Sequence, residues 1–237
     1  MLSIITINKN NRVGLAKTIA SLKTLESRDF QWVCIDGDSS DGVDGLARAF
    51  MTTGDVFISE PDTGIYNAMN KGILHASGED LLFLNSGDVF SSSLKSIASL
   101  SLDPKMDIHL FGFTVRGKTR LPRPQAWRFW SMPTSHQAII YKKTLLLAQR
   151  FDENYRLAAD FEHYLRISRL GSVIGQALRM RRDQTILIEN EPYGTDAQLP
   201  RVLAEYRMAL IQNGYPKIWA HAVFLLKSVY LQWALKR

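Results

Sequence analysis

The chain has 237 residues, 46% hydrophobic and 22% charged, which excludes a disordered or fibrous chain and fits one large globular domain or two small ones. Its 29 Lys/Arg against 23 Asp/Glu leave a net charge of +6, but residues 1–115 hold 9 basic and 14 acidic side chains while residues 116–237 hold 20 and 9. An acidic first half argues against a uniformly basic nucleic-acid binder, and the one cysteine, Cys34, excludes an intramolecular disulfide.

In chain order, Leu2–Asn8 is an apolar run with no basic leader or small-residue cleavage site, and predicts a strand rather than a signal peptide. Helical spacing follows over 13–26. Residues 30–36 read as a second strand, with Cys34 as a buried small hydrophobe. A helix over 41–51, a strand over 55–59, a helix over 64–76 and a strand over 80–85 continue the alternation of an α/β domain. Residues 116–133, rich in Pro, Arg and Trp, show no period. Beyond them the pattern predicts a strand over 137–141, a helix over 158–170, a loop over 189–199, and helices over 201–213 and 216–236, separated by Gly214 and Pro216. No stretch reaches the roughly 18 uninterrupted apolar residues of a membrane span.

Polar groups end three of the strands: Asn8, Asp36, and Asn85 through Asp88. Ligands of open α/β sheets lie beyond the carboxyl ends of strands, so these groups can converge on one edge. In Asp36-Gly37-Asp38-Ser39-Ser40-Asp41-Gly42 a carboxylate at a strand end suits a nucleotide base or ribose, and the same residues also suit a plain connecting turn. In the stretch from Glu60 to Gly72, Asp62 or Thr63 caps a helix. Ile65, Ala68, Met69, Gly72 and Ala76 form the core face of that helix. Asn67, Asn70 and Lys71 share another face, which fits a phosphate or sugar contact or a solvated surface. Asn85 and Asp88 offer oxygen ligands suited to Mg²⁺ or Mn²⁺, or form an ordinary turn. Asp160, in Leu157-Ala158-Ala159-Asp160-Phe161-Glu162, is either a general base or a carboxylate favoured by a helix start.

Taken in order, these segments resemble the family 2 glycosyltransferases, inverting sugar-nucleotide enzymes with a GT-A fold, and within them the bacterial colanic-acid and O-antigen branch. The segments are Ser3-Ile4-Ile5-Thr6-Ile7, Ile35 to Gly42, Ser59 to Gly72, Phe83 to Asp88, Ser135-His136-Gln137-Ala138 and Ala159 to Glu162, and they span residues 1 to about 170. The resemblance implies a single Rossmann-like GT-A domain over 1–199 with a mainly parallel mixed sheet, and a helical extension over 200–237. It places Thr6, Asn8, Asp36, Asp62, Tyr66, Asn67, Asn70, Lys71 and Asn85 around a nucleotide-sugar donor. It puts Asp88 on Mn²⁺ or Mg²⁺, His136 and Gln137 toward acceptor or phosphate, and makes Asp160 the base.

The implied activity is metal-dependent, inverting sugar transfer to a polyprenyl-diphosphate-linked saccharide in bacterial surface polysaccharide synthesis. Nucleic acid is not an expected partner, and oligomerisation is left open. Departures from the family pattern exist: Asp88 is the sole carboxylate of its motif, Asn67 stands where the branch often has Asp, and residues 191–196 lack its late Gly-Gly-x-Ser loop, so no catalytic role is assigned to them. The alternatives are a non-catalytic sugar-nucleotide binder and a nucleotidyltransferase. The latter should open with a Gly-rich phosphate loop, which Asn8-Lys9-Asn10-Asn11-Arg12 is not.

The basic half carries Arg116, Lys118, Arg120, Arg123 and Arg128 among Trp127, Phe129 and Trp130, with Arg179, Arg181 and Arg182 later. The last helix has a polar stripe of Lys217, His221, Ser228, Gln232 and Lys236 on an otherwise mostly apolar surface, interrupted by Lys227. That pattern predicts an interfacial helix, which the resemblance would put on the cytoplasmic face of the inner membrane, the alternative being a helix docked on the domain's own core or on a partner subunit.

Overall fold

The computed structural model describes residues 1–170, 178–191 and 198–235. The strands β1 (Leu2–Asn8) and β2 (Phe30–Asp36) are buried at every position. Near-continuous apolar strands of this kind belong to a parallel sheet covered on both faces. Strand β3 (Val56–Ser59) joins β2, and β4 (Asp80–Phe83) joins β1, all in parallel register. The crossovers are α1 (Arg12–Leu22), α2 (Val43–Phe50) and α3 (Ile65–His75).

Register matters more here than strand count. Asn8 lies opposite Asp36, and Asp36 opposite Ser59. The parallel strands therefore end level, and their polar last residues form a row.

The chain then departs from simple alternation. A short β5 (Val89–Phe90) precedes β6 (Ile108–Val115), β7 (Lys118–Arg120), β8 (Ile139–Lys142), α4 (Lys143–Ala148), α5 (Ala159–Leu170), β9 (Met180–Asn190), α6 (Leu199–Gln212) and α7 (Lys217–Leu235). Among the described residues the sheet runs β3-β2-β1-β4-β8-β6-β9-β5, with β7 paired to β6. The β4–β8 and β8–β6 contacts are antiparallel, while β6–β9 is parallel, so the sheet is mixed. The region 116–133, expected to be without elements, contains β7, a hairpin partner of β6. Arg116 (φ 51°) and Gly117 (φ 69°) both take the left-handed backbone that a tight two-residue hairpin turn requires. Likewise β9 runs to Asn190, into the stretch expected to begin a loop at residue 189; residues 192–197 lie outside the described ones.

Two apolar clusters cover the faces of the sheet. Ile5, Ile7, Val33 and Ile35 pack toward α3 and α5, while Ile4, Trp32 and Leu82 pack toward α1 and α2. Gly72 on α3 lies so close to Ile5 that an added Cβ would collide with its side chain, so glycine sets the helix–sheet spacing. On α3 the expected core face holds for Ala68, Met69, Gly72 and Ala76, but Ile65 is 40% exposed because the helix start rises over the site described below. The C-terminal helices pack on the same core through Ala209, Leu210, Ala220 and Val223. Among the described residues no helix is long and apolar enough to cross a membrane.

Candidate active site

The site begins at the level strand ends. The amide of Asn8 donates from Nδ2 to Asp36 Oδ1 (2.7 Å), and its Oδ1 accepts from Ser86 Oγ (2.7 Å). One side chain thus ties the turn after β2 to the turn after β4. Asp36 also accepts from Ser39 N (2.9 Å), Ser39 Oγ (2.6 Å) and Ser59 Oγ (2.7 Å). Burial alone would raise its carboxyl, but the bonds from Ser39, Asn8 and Ser59 outweigh it and hold Asp36 below the usual carboxylate range. An ionised carboxylate has about four acceptor positions, so these donors largely fill it. Asp36 fixes the turn in this state, and a ligand base must replace one of its serine partners to reach it. Next to it, Lys9 Nζ holds the carbonyl of Gly37 (2.8 Å), and Asp62 lies against Gly37 while accepting from Gly64 N (3.0 Å).

Beyond the turn after β4 opens a cavity of about 490 Å³, whose walls include Tyr66, Asn85, Asp88, His136, Gln137, Asp160, Asn190, Glu191 and Tyr206. Thr18 of α1 supports its floor. Its hydroxyl donates to the carbonyl of Asp88 (2.8 Å) and accepts from Gly87 N (3.0 Å). Gly87 has φ 105°, and an added Cβ would collide with the Glu191 carboxylate. The Asp88 carboxylate accepts from Glu191 N (2.9 Å) and Asn190 Nδ2 (3.2 Å). Burial dominates all the same and, with the nearby charge of Glu191, pushes Asp88 up to about 6.

Asp160 enters from the other wall, in the first turn of α5. Glu205 of α6 caps that turn, accepting from the backbone N–H groups of Leu157 and Ala158 (2.8 Å each). Tyr66 donates its hydroxyl to Asp160 Oδ1 (3.1 Å). Burial first, and then the charge of Glu205, raise the Asp160 carboxyl above its ordinary range, against the bonds from Phe161 N and Tyr66. Behind it the ring of Phe161 stacks on Tyr206 (4.0 Å, 12°).

His136 is buried and pushed down to about 3 by that burial, so it is a neutral imidazole rather than a cation for phosphate. Its Nδ1 faces Tyr141 OH (3.3 Å). Gln137 Oε1 accepts from Ser135 Oγ (2.6 Å) and Asn190 Nδ2 (3.2 Å).

Several residues expected around the donor are elsewhere. Asn70 is buried and clasps Phe151, donating to its carbonyl (3.0 Å) and accepting from its N–H (3.1 Å). Both Asn67 (2.9 Å) and Asn70 (2.8 Å) donate to the Glu153 carboxylate. Lys71 pairs with Glu60 (2.6 Å) and the Pro61 carbonyl (2.9 Å). Asn67 and Asn70 hold the approach to α5 in place, Lys71 holds the segment before α3, and none of the three lines the cavity. Thr6 is buried and accepts from Trp32 Nε1 (3.0 Å), within the core. Conversely, Asn190, Glu191 and Tyr206 line the cavity without having been expected there. The polar pair after the apolar run Ile186-Leu187-Ile188 was the available signal for the first two, the same strand-end pattern as Asn8 and Asp36.

The donor set fits a hard divalent cation. Asp88 supplies a carboxylate, and the side-chain oxygens of Asn85 and Asn190 are buried without a hydrogen-bond partner among the described residues. No trio of His, Cys, Asp or Glu gathers to form a cage among the described residues, so such an ion would need ligand oxygens as well.

Residues 3–159 match the family model described as Glycosyl transferase family 2, and the chain belongs to that family. It is 34% identical over 176 residues to an uncharacterized glycosyltransferase of Mycobacterium tuberculosis, covering 69% of this chain and 67% of that one. It is 28% identical over 176 residues to a PGL/p-HBAD biosynthesis glycosyltransferase of Mycobacterium bovis, covering 70% and 69%. Among solved structures, the mannosyltransferase PcManGT from Pyrobaculum calidifontis, in complex with GDP-Man and Mn²⁺, superposes with TM-score 0.66 at 17% identity over 94% of this chain and 69% of that one. S. aureus TarS 1–349 superposes with TM-score 0.65 at 15% identity, again over 94% and 69%. The fold is that of the GT-A glycosyltransferases.

Were a cation bound through Asp88, the raised carboxyl would make that binding pH-dependent. The carboxylate must be ionised to ligate, and it takes a proton as pH falls through about 6. Calorimetry with Mn²⁺ should therefore show affinity steady above pH 7 and falling about tenfold per pH unit well below 6. Asp88→Asn should bind weakly with a flat profile.

Proposed function

We propose that the chain is an inverting glycosyltransferase that moves a sugar from a nucleoside-diphosphate donor to an acceptor hydroxyl, with Asp160 as the general base. The observation that supports this most is that Asp160, oriented by Tyr66, shares one cavity with Asn85 and Asp88. In this reading Asn85 and Asp88 hold a divalent cation and thereby the donor diphosphate, and the turn of Asp36 and Ser39 meets the nucleoside. A bound cation would supply charge stabilisation to the departing diphosphate. Asp160 takes the proton of the acceptor hydroxyl as that oxygen attacks the anomeric carbon opposite the leaving group. The sugar passes through an oxocarbenium-like state, and the anomeric centre inverts. The environment of Asp160 suits this task, because a carboxylate raised above its ordinary range is a better proton acceptor near neutral pH.

Asp160→Asn keeps the acceptor atom for Tyr66 and removes the base. It should fold and bind donor as the parent does, while transfer falls by about 10²-fold or more. Thermal melting, donor calorimetry and product formation measure the three quantities, and near-normal turnover would contradict the assignment.

We propose further that the enzyme works at a membrane surface on a lipid-linked acceptor in surface polysaccharide synthesis. The surface of α7 supports this reading. Lys227 is buried, whereas Ile218, Leu225, Leu226 and Val229 are between 61% and 87% exposed. No acidic residue occurs from 116 to 151 or from 206 to 235. An apolar helix face within a basic region matches an anionic lipid surface, where each Lys or Arg contributes about 1 kcal/mol. Leu226→Glu combined with Val229→Glu should leave melting unchanged and abolish co-sedimentation with phosphatidylglycerol vesicles. Undiminished sedimentation would remove the helix from the membrane contact.

A further inference from the structure

The cavity does not end at Asp160. A second hollow of about 300 Å³ shares Val115, Met132, Thr134, Ser135, Asn190 and Tyr206 with it and extends to Arg120 and Arg123. We propose that this groove is the acceptor subsite and that Arg120 and Arg123 hold a phosphate group of a lipid-linked acceptor at its outer end, an assignment that rests on the glycosyl-transfer reading. The two arginines close a path that begins at the base. Arg120 ends the edge strand β7 and is exposed. Arg123 is exposed but anchored: its N–H donates to the Pro133 carbonyl (2.8 Å), and its guanidinium donates to Ser131 Oγ (2.8 Å). Residues 116–151 hold no Asp or Glu. Two guanidinium groups lining one groove suit the oxygens of a phosphate.

The groove also says where an apolar tail would go. Tyr206 forms part of the shared wall, and Lys227 of α7 sits over its ring at 3.7 Å. The same ammonium donates to the Trp130 carbonyl (2.7 Å), and the Trp130 indole meets Tyr230 of α7 edge-on at 6.2 Å. The apolar outer face of α7 is thus fastened beside the arginine end of the groove. Arg123 is close enough to act on that ammonium: burial first, and then the charge of Arg123, bring Lys227 down to about 7, against the pull of Asp160. A ligand with an anionic head and an apolar tail satisfies both surfaces, and its head group leads inward to Asp160.

Calorimetry on the full chain in metal-free buffer, without donor, tests this with three probes: farnesyl diphosphate, farnesol and inorganic diphosphate. Farnesyl diphosphate should bind most tightly. Arg120→Ala with Arg123→Ala should weaken it by about tenfold or more, and the Lys pair at the same positions should recover part of the loss. Inorganic diphosphate binding as tightly as farnesyl diphosphate, with the same loss in the variant, would keep the anion site and overturn its lipid part. Farnesol matching its diphosphate, or an alanine variant that binds like the parent, would overturn the proposal. Nucleotide-sugar binding with Mn²⁺, measured separately on the same variant, should be unchanged. A parent chain that fails to bind any nucleotide sugar counts against the transfer reading and leaves the phosphate result standing.

Discussion

One amide holds the two halves of the polar strand-end edge together. Asn8, the last residue of the first strand, donates to Asp36 and accepts from Ser86. Parallel register brings the three turns level, but level turns are not yet a site. The Asn8 contacts fix the turn after β2 against the turn after β4, so that the proposed nucleoside end and the proposed diphosphate end keep a set separation. The burial of Asn8 and Asp36 makes these bonds costly to lose, because an unpaired buried amide or carboxylate has no water to replace its partner.

Around that fixed edge three carboxylates meet three environments. Converging donors hold Asp36 below its ordinary range, so it is a structural anion. Asp88 sits in a buried turn beside Glu191 and is raised to about 6, close enough to neutrality for the proposed metal binding to depend on pH. Asp160 is raised by burial and by Glu205, as a proton acceptor should be. Environments that push carboxyl groups apart let one fold separate an anchor from the ligand and the base proposed for Asp88 and Asp160.

Much of this was legible in the sequence, for identifiable reasons. Strands β1 and β2 were readable to the residue because continuous apolar runs with polar last residues leave little choice. The turns of Asp36 and Asp88 and the start of α5 were readable as concentrations of polar residues at element ends. Strand β9 was not, because it begins Met-Arg-Arg-Asp-Gln and its partner β6 lies some 70 residues earlier, so long-range pairing decides it. The polar face of α3 was seen, but helical spacing cannot say that its partner is Glu153 on a remote segment. Thr6 was misplaced for a more local reason: strand alternation sets it on the face of Trp32, away from Ile5 and Ile7. Lys227 read as an interruption of an apolar helix, whereas the structure buries it on Tyr206 and turns its apolar neighbours outward.

The central claim is that Asp160 and the turn of Asn85 and Asp88 face each other across a single displacement. The anomeric configuration of the product tests this most directly. Proton NMR of the glycoside formed from an α-linked nucleotide sugar, chosen from a donor panel and offered with a prenyl-diphosphate saccharide, should show a β linkage and one released nucleoside diphosphate per transfer. An α-linked product would contradict the account, because a single attack opposite the leaving group must invert the anomeric centre.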